Sequence, residues 1–281
     1  MSNIQKGAPT SGMDLTHTIS VVIPTYNRAL SLEVAVRSCL SQTHAVHEVI
    51  VCDDGSTDDS QARMAAIGDA RVIWIASAHT GRPAVPRNKG IAAATGQWLA
   101  FLDSDDAWRP EKLAAQMQRM TRAGTRACCS NAERILPADI PGGVYFNDAP
   151  ELFGLDQLLQ VNRVICSSAL VKRELVMHVG GFPEAPELRA LEDYALWLRI
   201  AAHTSFAYCP EPLVRYADHP MGSIRAGAMD VNAQRDAVFT DLLEWEGNGA
   251  FTKGQRRMII RQLCRARRYA GRPIKDWLFL R

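Results

Sequence analysis

Residues 98–106 have the sequence WLAFLDSDD, in which five apolar residues precede four polar residues, three of them acidic. An apolar run of this length that stops at polar residues is typical of a strand buried on both faces of a sheet. Asp103, Ser104 and Asp105 follow its carboxyl end, which is the edge of an open parallel sheet where ligands bind. The segment therefore predicts an α/β domain with an acidic site at the end of a strand.

The residues before this segment alternate between strand and helix patterns. Residues 19–24 are a β-branched run that ends at a proline, and apolar residues at helical spacing follow before the next strand. Such alternation predicts parallel βαβ units and a three-layer α/β domain. Strands are predicted at 19–24, 48–52, 71–75 and 98–102, and helices at 30–43, 58–67 and 87–95.

The second half of the chain has a weaker pattern. A helix is predicted at 110–120 and a strand at 127–130, and an irregular stretch rich in proline and glycine continues to about residue 150. A further helix should precede the apolar segment at 164–171, and another lies within 187–203. The last predicted helix, at 253–268, has arginines on one face and apolar residues on another.

The composition is that of an ordinary soluble protein. With 281 residues and 47% hydrophobic content, the chain can bury one large core and carry an extension. A net charge of +2 gives no electrostatic reason to expect nucleic acid as a partner. The seven cysteines form no CxxC pair, which suits a reducing cytosol. No segment has the apolar run of a signal peptide or a membrane span, so we expect a cytoplasmic protein.

The acidic motif at residues 103–106 has two interpretations. Asp103 and Asp105 offer oxygen ligands that can hold Mg²⁺ or Mn²⁺ against a diphosphate. Alternatively, the acidic residues cap the helix that begins near Pro110. The apolar strand before the motif and Trp108 after it favour the metal interpretation.

A second acidic motif, DDGSTD at residues 53–58, also ends a predicted strand. Residues 55–58 are partly explained as a turn and a helix cap. Asp53 and Asp54 are not fully explained in that way, because an acidic residue after a strand can also accept hydrogen bonds from a base or a ribose. Capping and nucleotide binding both stay open for this pair.

Five segments of the chain form a recognisable set. They are VVIPTYNR (21–28), VCDDGSTDDS (51–60), RNKGIAAATGQWLAFLDSDDAW (87–108), GGFPE (180–184) and LEDYALWLRIA (191–201). Together they resemble the GT-A glycosyltransferases of family 2, in that family's order and spacing, over most of residues 19–225. The resemblance implies a Rossmann-like three-layer αβα domain over residues 19–230 with a mostly parallel central sheet. Residues 19–108 would bind the nucleotide-sugar and 109–230 the acceptor, between a disordered tail at 1–18 and a basic helical extension at 231–281.

The same resemblance implies the reaction and its partners. The family moves a sugar from a nucleotide diphosphate to an acceptor hydroxyl, here with inversion at the anomeric carbon and with Mn²⁺ or Mg²⁺ as cofactor. A UDP-sugar is the default donor, with GDP and dTDP open. The acceptor would be a saccharide or a lipid-linked saccharide in cell-surface polysaccharide or glycolipid assembly.

Site residues also follow from the resemblance. Asp54 would form a hydrogen bond with the base, and Arg87 would reach the base or the diphosphate. Asp103 and Asp105 would contact the ribose and the metal. A divalent ion and an arginine at the leaving diphosphate stabilise the charge that develops there. The residues expected at the nucleotide-sugar are Pro24, Thr25, Tyr26, Arg28, Asp53, Asp54, Arg87, Asp103 and Ser104, and those expected at the metal are Asp105 and Asp103.

Asp193 is predicted to be the general base by the same pattern, because an inverting transfer needs a carboxylate opposite the leaving group. Glu192 is the second candidate. Without the family pattern, the pair would be interpreted as helix-start acids that the macrodipole favours.

A late loop, residues 215–225, resembles a segment that closes over the diphosphate in the family. His219 would either complete the metal shell or occupy a turn before a proline. Ser223 and Arg225 would contact the diphosphate, and the closed loop would exclude water.

The end of the chain is strongly basic. Residues 253–281 contain ten lysines and arginines and one aspartate. Peripheral contact with an anionic membrane surface on the cytosolic side is one interpretation, and a solvated helix packed on the domain is the other.

Other protein classes fit less well. The chain lacks the glycine-rich fingerprint of a dehydrogenase after its first strand, and it lacks the P-loop motif. A sugar-nucleotide nucleotidyltransferase would begin with a glycine-rich basic loop, which is absent. A non-catalytic nucleotide-sugar-binding protein on the same scaffold is the remaining alternative, and the intact Asp103, Asp105 and Asp193 argue against it.

Overall fold

The structure of the chain is a computed structural model that describes residues 17–218, 230–245 and 249–271. The predicted tail lies almost wholly outside the described residues. The strands are β1 (Ile19–Thr25), β2 (Glu48–Asp53), β3 (Val72–Ala76), β4 (Trp98–Phe101), β5 (Ala107–Trp108), β6 (Ala127–Leu136), β7 (Ile140–Val144), β8 (Leu152–Phe153), β9 (Leu170–Lys172) and β10 (Phe206–Ala217). The helices are α1 (Ala29–Leu40), α2 (Ser60–Ile67), α3 (Ala84–Ala93), α4 (Lys112–Ala123), α5 (Leu155–Leu158), α6 (Arg173–His178), α7 (Glu192–Ala201), α8 (Val231–Trp245) and α9 (Lys253–Tyr269).

These strands form one sheet in the order β3-β2-β1-β4-β9-β6-β10-β5, with β7 beside β6 and β8 beside β10. Strands β1, β2, β3, β4, β6 and β10 run in one direction, and β5, β7, β8 and β9 run in the other. The predicted, mostly parallel sheet is therefore confirmed. All of its opposing strands come after residue 106, so the first half supplies a purely parallel edge.

The sheet has a core on each face because successive residues of a strand point in opposite directions. Val22 of β1 faces a core that includes Trp197 of α7 and Phe239 of α8. Its neighbour Val21 faces a second core that includes Val36 of α1 and residues of α4. Helices therefore cover both faces, and the predicted three-layer architecture is confirmed.

The predicted positions of the elements agree with the structure to within a few residues in the first half, and they are less accurate in the second half. Helix α7 lies within the predicted range 187–203 and begins at Glu192, because Pro186–Leu188 form a 3₁₀ turn and Ala190 has a left-handed φ of 65°. Strand β6 continues to Leu136 and pairs with β7, within a stretch that was predicted to be irregular.

The extension folds back on the domain as a pair of helices. Phe239 and Leu242 of α8 belong to the same core as α7, and Ile259 and Leu263 of α9 are buried in it as well. The predicted basic amphipathic helix at 253–268 is confirmed as α9. Among the described residues, no helix is both long enough and apolar enough to cross a bilayer.

Gly90 lies where α3 packs tightly on the sheet. A β-carbon there would lie 2.6 Å from Cys52 Sγ and 2.6 Å from Val22 Cγ1. We expect Gly90→Ala to lower the free energy of unfolding by about 1–2 kcal/mol, because the cost of overpacking exceeds the helix-propensity gain of alanine. Gly254→Ala is the control, since its β-carbon would meet only Thr252 Oγ1 at 3.8 Å. Equal denaturant midpoints for the two variants would contradict this tight packing.

Candidate active site

A cavity of about 660 Å³ opens at the carboxyl edge of the parallel strands. Its walls come from the loops after β1, β2, β3 and β4 and from the start of α7. Most of the residues predicted from the sequence line this one cavity. They are Pro24, Thr25, Tyr26, Arg28, Asp54, Arg87, Asp103, Ser104, Asp105, Glu192 and Asp193.

One end of the cavity carries an aromatic surface. The rings of Tyr26 and His79 are stacked with their centroids 4.0 Å apart and an interplanar angle of 26°. Tyr26 is 42% exposed, so the stack leaves ring surface accessible to a planar ligand. The loop is fixed by Asn27, which has a φ of 48° and whose side chain accepts a hydrogen bond from the Thr57 N–H at 2.7 Å.

Asp54 lies in the wall beside this stack. Its carboxylate accepts hydrogen bonds from the Thr80 N–H at 2.9 Å, from the Thr80 hydroxyl at 2.8 Å and from the Gly81 N–H at 2.9 Å. The side chain thus fastens the loop after β3 to the loop after β2. Asp54 can therefore act on a nucleotide both directly and by positioning this loop.

Asp53 has a different position, although the sequence placed it with Asp54. Its two carboxylate oxygens accept the Ser56 N–H at 3.0 and 3.1 Å, and it is not among the residues that line the cavity. This contact is the turn-capping interaction that was the alternative for this residue. Adjacent residues at a strand end point in opposite directions, so only Asp54 faces the cavity.

Arg87 forms the centre of the site. Its guanidinium donates to Asp103 Oδ1 at 2.6 Å and to Glu192 Oε1 at 2.8 Å, and it lies 5.2 Å from the centroid of the Phe182 ring. Burial by itself lowers the pKa of Arg87, but the negative charges of Asp103 and Glu192 and the hydrogen bond to Asp103 outweigh burial and raise that pKa well above its ordinary value. Arg87 is thus a permanent cation that joins the strand β4 side of the cavity to α7.

Two buried atoms of this pair have no hydrogen-bond partner among the described residues. They are Arg87 Nε and Glu192 Oε2, and both residues are only 5% exposed. Unpaired buried polar atoms are rare in folded proteins. Both residues line the cavity, but these two atoms have almost no exposed surface, so a ligand reaches them only if a side chain moves.

The acidic motif after β4 divides into three environments. Asp103 binds Arg87, Asp105 forms an ion pair with Arg28, and Asp106 lies beneath them. Asp106 accepts hydrogen bonds from the Ser167 hydroxyl and from the Ala217 N–H. Burial, together with the charges of Asp105 and Asp103, raises the pKa of Asp106 well above its ordinary value. The two outer carboxylates therefore face the cavity, and the inner one holds the loop.

Asp103 and Asp105 are suited to a hard divalent cation. Their side chains are 30% and 37% exposed in the cavity wall, and they offer only oxygen ligands. Among residues 17–218, 230–245 and 249–271, no group of three or more His, Cys, Asp and Glu side chains is placed to hold a metal ion. Mg²⁺ sites that use one or two carboxylates complete their shell with substrate phosphates and water, and the donor set here fits that type.

Asp193 lies in the first turn of α7, opposite the strand ends. Its side chain lines the cavity, and its Oδ1 accepts the Tyr194 N–H at 2.7 Å. The left-handed residue Ala190, with φ 65°, turns the chain into the cavity just before this helix. Glu192, the second candidate for the base, is instead engaged by Arg87. Both carboxylates line the cavity, and the assignment of Asp193 as the general base stays a prediction.

The late loop is only partly described. Tyr216 and Ala217 line the cavity, and Asp218 binds Arg134 with the nearest atoms 2.6 Å apart. The remaining predicted residues lie outside the described residues, so their assignments stay predictions. They are His219, Ser223 and Arg225.

Several residues that line or support the cavity were not predicted from the sequence. His79 and Gly81 line it, and Thr80 and Ser167 support it through hydrogen bonds to Asp54 and Asp106. His79, Thr80 and Gly81 follow β3, and the predicted strand at 71–75 was a sufficient signal, since its carboxyl end lies at the same edge of the sheet. Ser167 donates to Asp106 and accepts the Asp103 N–H at 3.0 Å. No local signal identified it, because it comes from a 3₁₀ turn more than sixty residues away in sequence.

Carboxylates and a buried arginine at the carboxyl edge of a parallel sheet, with two further carboxylates at the start of α7, form the kind of cavity in which α/β enzymes bind their ligands. The chain belongs to glycosyl transferase family 2, because the sequence model of that family, "Glycosyl transferase family 2", matches residues 20–176. The resemblance noted from the five segments is confirmed, and so is the conclusion that the protein is an enzyme.

The chain is similar to two Escherichia coli enzymes named UDP-Glc:alpha-D-GlcNAc-diphosphoundecaprenol beta-1,3-glucosyltransferase. It is 33% identical to WfaP over 65% of this chain and 69% of the relative, and 30% identical to WfgD over 66% and 70%. In structure it is similar to S. aureus TarS 1-349 in complex with UDP-GlcNAc, with a TM-score of 0.69 over 94% of this chain and 76% of that chain. The sequence identity to TarS is 16%, so this likeness concerns the fold alone.

Proposed function

We propose that the enzyme transfers a sugar from a UDP-sugar to a hydroxyl group of a lipid-linked saccharide, with inversion at the anomeric carbon. The observation that carries this proposal is the single cavity that unites Tyr26, Asp54, Arg87 and Asp105 on the donor side with Asp193 on the acceptor side. The names of the E. coli relatives, which specify a UDP-sugar donor and a diphosphate-linked lipid acceptor, support it.

The donor would lie along the ends of β1, β2 and β4. The base would contact the exposed face of Tyr26 and a backbone edge fixed by Asp54. The diphosphate would then reach Arg28 and the acidic motif. Arginine is well suited to these oxygens because its planar fork can donate two parallel hydrogen bonds. Negative charge grows on the diphosphate as it leaves, so these contacts strengthen in the transition state.

A divalent cation, Mn²⁺ or Mg²⁺, would be held by Asp105 with help from Asp103. When bound, such an ion neutralises charge on the leaving diphosphate. His219, which lies outside the described residues, would be a further ligand. The ion pair with Arg87 holds the Asp103 carboxylate in a fixed position in the cavity wall.

The acceptor would approach from the side of α7. Its hydroxyl oxygen would attack the anomeric carbon opposite the diphosphate, and the bond from that carbon to the diphosphate oxygen would break. Asp193 would take the hydroxyl proton in this step. Arg87 and Glu192, which both line the cavity, would orient hydroxyl groups of the transferred sugar.

The donor site can be tested by calorimetric titration of UDP, GDP and dTDP in the presence of Mn²⁺. We expect UDP to bind most tightly, and we expect Asp105→Ala or a chelator to weaken that binding at least about tenfold, or about 1.4 kcal/mol. Asp156→Ala is the control because Asp156 is an exposed acid on α5, away from the cavity. A UDP affinity unchanged by both treatments would contradict the metal site, and failure of every nucleotide to bind would contradict the donor site.

A lipid-linked acceptor implies a place of action as well. We propose that the enzyme works in the cytoplasm, at the cytosolic surface of a membrane that carries its acceptor. The nucleotide-sugar would reach the cavity from water, and the acceptor would reach it from the bilayer.

A further inference from the structure

Helix α9 carries a row of exposed arginines that form no ion pair within the described part of the chain. Arg257, Arg261, Arg265 and Arg268 are exposed, and none of them has an acidic partner among the described residues. Arg267, on another face of the same helix, pairs with Asp236 of α8 with the nearest atoms 2.7 Å apart. We call these four exposed residues the arginine row. It spans about 16 Å along the helix.

The other face of α9 is already occupied. Ile259, Leu263 and Ala266 are buried against the rest of the domain. An interfacial helix that inserts into a bilayer needs a free apolar face, and α9 has none among these residues. Any surface that meets the arginine row would therefore be recognised by charge, without insertion of the helix.

The arginine row also has a defined direction relative to the cavity. Helix α7 begins at the cavity and runs away from it, and α8 runs beside α7, with Phe239 near Tyr194 and Trp245 near His203. The ion pair of Arg267 with Asp236 places the end of α9 next to the start of α8. The row therefore extends toward the end of the domain that holds the cavity.

We propose that the arginine row is a docking surface for a bilayer that contains anionic phospholipids. A straight line of cations on a single helix face suits a flat anionic surface, and the chain as a whole, with a net charge of +2, has no general attraction for polyanions. Docking in this orientation holds the cavity near the headgroups, where a lipid-linked saccharide would be. The proposal deepens the proposed function and depends on it only for the identity of the acceptor.

The test is co-sedimentation of the full chain with phosphatidylcholine vesicles, with and without phosphatidylglycerol. Binding is expected only with the anionic lipid, and it should disappear at high salt. Each basic residue near such a surface strengthens binding about fivefold, so Arg261→Gln/Arg265→Gln is expected to bind about 25-fold more weakly. The matched control is Arg37→Gln/Arg122→Gln, which removes the same charge from α1 and α4 on the opposite face of the sheet.

Several results would overturn the proposal. They are equal binding by the two double variants, equal binding to both kinds of vesicle, and binding to duplex DNA in place of vesicles. Thermal unfolding by circular dichroism checks that both variants fold. UDP titration of the same samples separates this proposal from the proposed function. Loss of vesicle binding with normal UDP affinity shows that the variant changes the arginine row alone. Absence of UDP binding in the unmodified chain contradicts the donor site instead.

Discussion

Replacement of Asp193 by asparagine is expected to lower the turnover of sugar transfer by about 10²- to 10⁴-fold, which is the usual contribution of a general base. Asparagine has nearly the same size and can still occupy the first turn of α7, but its amide cannot take a proton from the acceptor hydroxyl. Because Asp193 is proposed to act on the acceptor and not on the nucleotide, the affinity for UDP should stay within about twofold of the unmodified enzyme.

The measurement is single-turnover transfer with saturating UDP-sugar and acceptor, alongside UDP titration. Glu192→Gln is the informative comparison, since Glu192 binds Arg87 at 2.8 Å and is the second candidate for the base. We expect that variant to affect stability and donor binding as well as rate. Near-normal turnover in Asp193→Asn, or a larger pure rate loss in Glu192→Gln, would show that the base has been assigned to the wrong residue.

The fold and the location of the site could be predicted from the sequence because both depend on local patterns. Apolar runs that stop at polar residues marked the strand ends, and in a parallel sheet those ends must meet at one edge. Asp54, Asp103 and Asp105 were found in this way. The position of Asp53 depended on which way a single side chain points at the end of β2, and the sequence pattern could not resolve that.

The interactions that organise the site could not be predicted, because they join distant parts of the chain. Arg87 and Glu192 are 105 positions apart, and Asp54 is fixed by a loop more than 25 residues away. Each residue alone is compatible with a surface location or a helix cap. Only the folded structure shows that α3 and α7 bring Arg87 and Glu192 together in the wall of the cavity.

The two arginines of the site have different environments, and this suggests different roles. Arg28 and Asp105 are 34% and 37% exposed, so water screens their ion pair and the pair contributes about 1 kcal/mol or less. An incoming divalent cation and diphosphate can therefore separate them, and each partner gains a new one. The side chains of Arg87 and Glu192 are each only 7% exposed, so their ion pair cannot be separated without leaving a buried charge alone. Arg28 is thus suited to binding the diphosphate, and Arg87 is suited to holding Asp103 and Glu192 in place.

Replacement of Arg87 by alanine is consequently expected to lower the free energy of unfolding by about 3–5 kcal/mol, because it leaves Glu192 buried without its partner. It also removes the donor that positions Asp103, so UDP affinity should fall in the same variant. Arg87→Lys should recover only part of the stability, since a single ammonium group cannot reproduce the two separate guanidinium contacts with Asp103 and Glu192.

Denaturant unfolding of Arg87→Ala and Arg28→Ala measures this difference directly. The Arg28 variant is the matched control, because it removes the same side chain from the exposed ion pair and should cost about 1 kcal/mol or less. Adding Glu192→Gln to Arg87→Ala should restore part of the lost stability, since the uncompensated buried charge is then removed. If the two arginine variants unfold with the same free energy, Arg87 does not hold Asp103 and Glu192 in place, and the contacts of Glu192 would have to be satisfied by water from the cavity.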